Sequence, residues 1–157
     1  MTAPILTHEF LQEAWANRIL GITFLSWLVA QSMKVIFGFF EEKRFNFKWF
    51  VETGGMPSSH AASVASLATG VGLAAGFDTP LFALACVVAL ITMFDAQGVR
   101  RNTGKQAEVL NKILDDIYLK HEIREDRLKE VLGHTPVEVI AGALLGIVLA
   151  FLCYPSG

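Results

Sequence analysis

The stretch Arg18–Phe40, RILGITFLSWLVAQSMKVIFGFF, holds no acid, and Lys34 is the one cation after its first residue. A helix needs about 20 predominantly apolar residues to cross the hydrocarbon of a bilayer, and this run supplies them. Three more apolar runs follow. Residues 61–77 are rich in Ala, Gly, Ser and Val, and 80–94 and 137–154 are dominated by Leu, Val, Ile and Ala. The second and fourth runs are long enough to span, and the third is so once Asp95 and Ala96 are included. These runs predict an all-α, polytopic integral membrane helix bundle with about four transmembrane helices. A soluble all-α bundle with buried helices is the alternative. Four such runs would leave it little polar surface.

Composition points the same way. The 157 residues make one domain's worth of chain, 53% apolar and 18% charged, with a mean hydropathy of +0.46. A soluble domain carries about 25% charged residues. A disordered chain, a nucleic-acid binder and a disulfide-stapled secreted module are therefore disfavoured. Cys86 and Cys153 both sit inside apolar runs and read as lipid- or core-facing groups, with no metal-ligand spacing around them.

We read 1–157 as a single membrane domain with two appendages. Residues 1–17 lack the basic segment of a signal peptide. Phe10, Leu11, Ala14 and Trp15 fall near helical spacing, which predicts a short interfacial helix. Between the third and fourth spans, residues 104–132 form an amphipathic cytoplasmic insertion. Ala107, Leu110, Ile113, Leu114, Ile117 and Tyr118 share one face, and Gly133 is placed to end it.

With four crossings, both termini and the Asp78 turn share one side, and the two polar segments 41–57 and 97–134 share the other. That second side holds 12 of the 13 Lys and Arg, counting Lys34, against Arg18 alone. Leaving out Lys34, Arg100 and Arg101 as candidate site residues still gives 9 against 1. Basic segments stay in the cytoplasm, which places the polar segments there. The same bias suits anionic headgroups.

Ionisable groups at membrane depth are expensive and are functional suspects by default. Four places on the basic side carry them. Gly54-Gly55-Met56-Pro57-Ser58-Ser59-His60 precedes the second span, with Pro57 suited to a first helical turn. Its N–H groups and helix dipole suit an anion such as phosphate. Ser58 and Ser59 add hydroxyls, and His60 can pass a proton near neutral pH. An N-cap serine beside an interfacial His would also explain this run. Gly133-His134-Thr135-Pro136-Val137-Glu138 opens the fourth span. Glu138, four residues after His134, could reach one imidazole nitrogen and make the other a nucleophile. Equally, Thr135 and Glu138 with Pro136 make a capping box. Asp95 and the Arg100–Arg101 pair follow the third span, the guanidiniums offering forks for phosphate oxygens or anchors in the headgroup layer. Asp95 is a partner for an Arg or for Lys34. Lys34, with Lys43 and Arg44 beyond it, either snorkels or points inward at an anion, and Gln31 one turn earlier favours the inward direction. Two imidazoles, a carboxylate and several cations at one end of a bundle are the equipment of phosphoryl transfer without a metal.

At these residues the chain resembles a known family. Met-Pro-Ser-Ser-His (56–60) is similar to the Pro-Ser-x-His motif of the type 2 phosphatidic acid phosphatases, the superfamily that includes vanadium haloperoxidases. Gly-His-Thr-Pro-Val-Glu-Val-Ile-Ala-Gly (133–142) is similar to its His-x-x-x-Asp motif and the helix that follows. With Asp-Ala-Gln-Gly-Val-Arg-Arg (95–101) and the 106–111 stretch, the chain resembles the divergent branch of that superfamily from about Gln31 to Gly146. The resemblance implies His134 as the nucleophile that becomes a phosphohistidine, and Glu138 as the group that orients it. It implies His60 as the acid that protonates the leaving alkoxide. It implies Lys34, Ser59 and Arg100 or Arg101 as ligands of phosphate oxygens, with Ser58, Arg44 and Asp95 as further candidates, and no metal or cofactor. The chain departs from the family at three points. Leu128 stands where an Arg usually precedes the nucleophile. Lys34 is followed by Arg44 at ten residues with no Pro. Four spans are read where many relatives have six.

The expected function is a membrane lipid phosphatase, metal-independent, acting through a phosphohistidine. Its substrate would be a lipid phosphomonoester or diphosphate of the phosphatidylglycerophosphate, phosphatidate or polyprenyl phosphate type. Expected partners are that lipid, the surrounding membrane lipids (of the plasma or inner membrane in a bacterium) and a second copy of the chain, with no nucleic acid. The first alternative is a catalytically silent membrane protein that binds anionic lipid or a protein partner. The second is a transporter using Lys34, Asp95 and the histidines as an ion path.

Overall fold

The computed structural model describes residues 8–42, 55–118 and 134–155. Among them the regular elements are five α-helices: α1 (His8–Ala16), α2 (Arg18–Glu42), α3 (Ser59–Ala75), α4 (Pro80–Tyr118) and α5 (Pro136–Cys153). Three carry segments long and apolar enough to cross a membrane: Arg18–Phe40, Pro80–Gly98 and Pro136–Cys153. The 17-residue α3 is about 25 Å long at 1.5 Å per residue, at the lower edge of spanning length.

Local chemistry sets the helix ends. Asn17 separates α1 from α2, and its side-chain oxygen accepts from the N–H groups of Ile19 and Leu20 at 3.1 and 3.2 Å, which satisfies donors of the first turn of α2. Ser58 caps α3 by accepting from the Ala61 N–H. Pro57, which the sequence suggested for a first helical turn, therefore lies just before the cap, and the Met56–Pro57 bond is cis. Gly76 ends α3 at φ 102°, a left-handed conformation that costs other residues a clash. Thr79 then caps α4 by accepting from the Phe82 N–H at 3.3 Å, and Pro80 opens that helix without needing a donor. Thr135 and Glu138 form a full capping box on α5, with Pro136 in its first turn.

α3 packs against α2, α4 and α5. It can do so because its inward surface is small: Ala61, Ala62, Ala65, Ser66, Ala68, Thr69, Gly70 and Gly72 are buried. Opposite them on α5, Val139, Gly142, Gly146 and Ala150 are buried. A Cβ on Gly142 would overlap the carbonyl of Ser58, and one on Gly146 the carbonyl of Ala62. The two backbones thus touch directly, the close approach that small residues permit between membrane helices.

The large apolar side chains lie on the outside. Phe24, Leu84, Ile91, Phe94, Val148 and Leu152 are all exposed, whereas the largest fully buried side chains are His134, Ser26, Ser58 and Ser66. Water would penalise that arrangement, and hydrocarbon favours it. At the end of the bundle away from the site, large side chains pack on the glycines of α3. Phe77 and Phe82 meet edge to face at 5.1 Å over Gly72, and Ile19 lies against Gly70.

One element runs longer than its apolar pattern. The third apolar run and the start of the amphipathic segment form a single 39-residue helix, α4, about 58 Å long. The candidate spanning segment ends at Gly98, and the backbone continues past it as helix. The rest of the 104–132 segment, from residue 119, lies outside the described residues.

Candidate active site

The polar residues meet where α3 and α5 begin. His60 is the second residue of α3, and His134 stands just before the Thr135 cap of α5. Their ring centroids are 5.9 Å apart, with the planes inclined by 60°. His134 is 0% exposed, and His60 is half-buried.

Two hydrogen-bonding contacts hold His134, and two more hold the carboxylate that faces it. Its backbone N–H donates to the Ala96 carbonyl of α4 at 3.2 Å. Its Nδ1 lies 3.1 Å from Glu138 Oε2. That same oxygen accepts the Thr135 N–H at 3.1 Å, while the Glu138 N–H donates to Thr135 Oγ1 at 3.3 Å. The carboxylate is therefore held by the cap while it faces the imidazole. Both roles that the sequence offered for Glu138 coexist in one oxygen.

The cation comes from α2. Lys34 is buried, and its Nζ donates to Ser59 Oγ at 3.2 Å. The inward direction read from Gln31 holds, and Gln31 is itself buried. Gly55 (φ 92°) passes over the Lys34 methylenes, so that a Cβ there would sit 3.9 Å from Lys34 Cγ and Cδ. Ser59 thus presents its hydroxyl to the lysine. Ser58 is wholly buried, with its Oγ accepting from the Ala61 N–H at 3.3 Å and its own N–H donating to the Glu138 carbonyl at 3.0 Å.

The structure therefore brings together Lys34, Ser58, Ser59, His60, His134 and Glu138. Asp95 is exposed on α4, one residue before the buried Ala96. Arg100 and Arg101 lie on α4 beyond Ala96, with their side chains outside the described part. Arg44 is outside the described residues altogether. Among the described residues, no group of three His, Cys, Asp or Glu gathers in the manner of a metal site.

Ala96 and Gly142 join the site only in three dimensions, whereas Gly55 belongs to the run that precedes His60 in the sequence. Ala96 contributes a carbonyl, which no sequence pattern advertises. Gly142 had a signal in its four-residue spacing from Gly146, the small-xxx-small pattern of touching helices.

Chemically, the site offers two helix N-termini, an ammonium and a hydroxyl around two imidazoles, one of them oriented by a carboxylate. Such a set holds an anion and moves protons. Fold and side-chain cluster define an integral membrane protein with a paired-histidine site at one end of a helical bundle. The chain belongs to the divergent PAP2 family, whose sequence profile matches residues 15–149. It is similar to the uncharacterized membrane protein YuiD of Bacillus subtilis (strain 168), 42% identical over 136 residues, which is 80% of this chain and 86% of that one. No solved structure matches the chain.

Proposed function

We propose that the protein is a lipid phosphatase that cleaves a phosphomonoester or diphosphate through a phosphohistidine, at the cytoplasmic leaflet. The observation that carries this reading is the 5.9 Å separation of the His60 and His134 rings, with Glu138 on Nδ1 of the second. A phosphate seated beside the pair would be shared by both rings.

Glu138 holds the proton of His134 on Nδ1 and directs the Nε2 lone pair at phosphorus. The N–P bond forms as the bond from phosphorus to the lipid oxygen breaks, and His60 donates its proton to that oxygen. Lys34, Ser59 and the N–H groups of the first turn of α3 face the equatorial oxygens, where negative charge accumulates. Water then attacks the phosphohistidine and gives its proton to His60. The N–P bond breaks, and inorganic phosphate leaves with both histidines restored. The lipid tails lie along the exposed apolar faces of the helices.

A silent binding protein is the second reading, and the complete burial of His134 favours it, because attack requires phosphorus to reach that ring. The transporter reading is disfavoured. The candidate residues described gather at one end of the bundle, where α3 and α5 begin, instead of lining a path across it.

Phosphate release from phosphatidate, phosphatidylglycerophosphate and polyprenyl phosphate in detergent decides between the first two. Release that persists with chelator, falls with vanadate and vanishes in His134→Ala supports the phosphatase. Lipid phosphate binding without turnover establishes the silent binder instead.

A further inference from the structure

The interval between the two histidines is set by backbone contacts away from both rings. Ser58, two residues before His60, has all its backbone polar groups engaged. Its N–H donates to the Glu138 carbonyl at 3.0 Å, and its carbonyl accepts the Ala62 N–H at 3.0 Å. That same carbonyl oxygen rests against Gly142, one helical turn after Glu138 and two turns after His134. The start of α3 therefore touches α5 at two heights, through the Glu138 carbonyl and through the bare Cα of Gly142.

We propose that Gly142 is a positioning residue for the phosphoryl-transfer site. Its lack of a side chain sets the separation of α3 and α5 at that level, and through it the distance between His60 and His134. This inference rests on the phosphatase reading for its catalytic consequence. A methyl group at 142 meets a backbone carbonyl and the Ala61 Cβ, the latter at 3.1 Å. A carbonyl fixed in a helix cannot rotate aside as a flexible side chain would, so the helices must part. Lys34 grips Ser59, which is on α3, and so the phosphate ligands move together with His60. His134 and Glu138 stay with α5. The parting therefore divides attacking group from acid and leaves the anion grip whole.

Gly146 supplies the comparison. It lies against the Ala62 carbonyl in the same seam, one turn farther from the rings. Gly142→Ala and Gly146→Ala should both lower thermal stability. In folded, size-selected protein, Gly142→Ala should lower kcat about a hundredfold while KM stays within about threefold, because misplacement by about 1 Å is that costly. Gly146→Ala should lower kcat far less.

A second measurement needs no turnover. In a chain carrying Cys86→Ser and Cys153→Ser, the pair His60→Cys and His134→Cys should be joined by a short bifunctional thiol reagent. Adding Gly142→Ala should slow that linkage several-fold, and adding Gly146→Ala, one turn farther from the rings, should slow it less. Linkage at the same rate with and without Gly142→Ala overturns the proposal, as does equal loss of kcat in the two alanine variants. Should the unaltered chain release no phosphate, the phosphatase reading fails, while the linkage rates still decide whether Gly142 sets the spacing.

Discussion

His134 and Glu138 are joined through an oxygen that also caps the helix they open: Glu138 Oε2 stands 3.1 Å from His134 Nδ1 and 3.1 Å from the Thr135 nitrogen. A carboxylate on a mobile side chain loses rotamer freedom when it orients an imidazole. Here the capping box has already fixed it. The helix start thus supports the imidazole, and on the phosphatase reading stability and reactivity are coupled at one residue.

Glu138→Gln separates the two. The amide oxygen can still accept from Thr135, so stability should change by less than ~1 kcal/mol, the scale of a cap. The charge facing Nδ1 is lost, and kcat should fall by roughly 10²–10⁴-fold, as when an orienting carboxylate or a general acid is removed. Thermal denaturation alongside phosphate release checks both halves. A glutamine variant with full activity would mean that the carboxylate only caps.

The pair of imidazoles predicts a bell-shaped pH profile. His134 must be neutral at Nε2 to attack, so activity falls as pH drops and that ring gains a proton. His60 must carry a proton to give the leaving oxygen, so activity also falls as pH rises. The two apparent ionisations belong to the coupled pair. His60→Ala should remove the alkaline limb and cost roughly 10²–10⁴-fold on alkyl phosphates, with much less loss on an aryl phosphate, whose leaving group needs no proton. His134→Ala should be inactive across the range. An unchanged alkaline limb in His60→Ala would remove His60 from the acid role.

Lys34→Met tests the anion grip. The replacement fills similar volume but gives up the bond to Ser59 Oγ, so thermal denaturation is run beside the inhibition assay and only folded protein is compared. Vanadate inhibition should weaken by about tenfold or more, the scale of a charged hydrogen bond worth about 1.5–3 kcal/mol. Lys34→Arg should not substitute. Gly55 sits over the lysine methylenes, and a planar guanidinium needs more room. Unaltered vanadate affinity in Lys34→Met would place the phosphate elsewhere.

Much of this site was legible because its parts are local. The four-residue spacing of His134 and Glu138, the capping box and the helix starting near Ser58 all follow from short-range rules, and the structure places them so. Arg18–Phe40 is likewise a predominantly apolar run, and its bounds coincide with the spanning segment of α2. What the sequence withheld depends on contacts between distant segments. The shared end of the spans and the family resemblance already put His60 and His134 at one site, and the rings do meet; hidden from the sequence is the contact that sets their interval, the Ser58 carbonyl against Gly142 across α3 and α5. The continuity of α4 was hidden for another reason. Its residues change from apolar to amphipathic when the solvent changes from lipid to water, and that change looks like a boundary although the hydrogen-bonded backbone passes through it.

The excess of Lys and Arg at the site end predicts which leaflet supplies the substrate, and the two cysteines allow a direct check. α5 runs from the site to Cys153 at the opposite end of the bundle, where Cys153 is exposed. Cys86 lies within the spanning part of α4, where maleimide chemistry, which needs a hydrated thiolate, is slow. In intact cells a membrane-impermeant maleimide should therefore label Cys153. With Cys153→Ser and Lys112→Cys, a position on the long arm of α4 whose side chain is 71% exposed, labelling should appear only after permeabilisation. The reverse pattern would put the histidine pair on the outer face. The phosphatase would then draw on outer-leaflet lipid phosphates, and the positive-inside argument would be wrong for this chain.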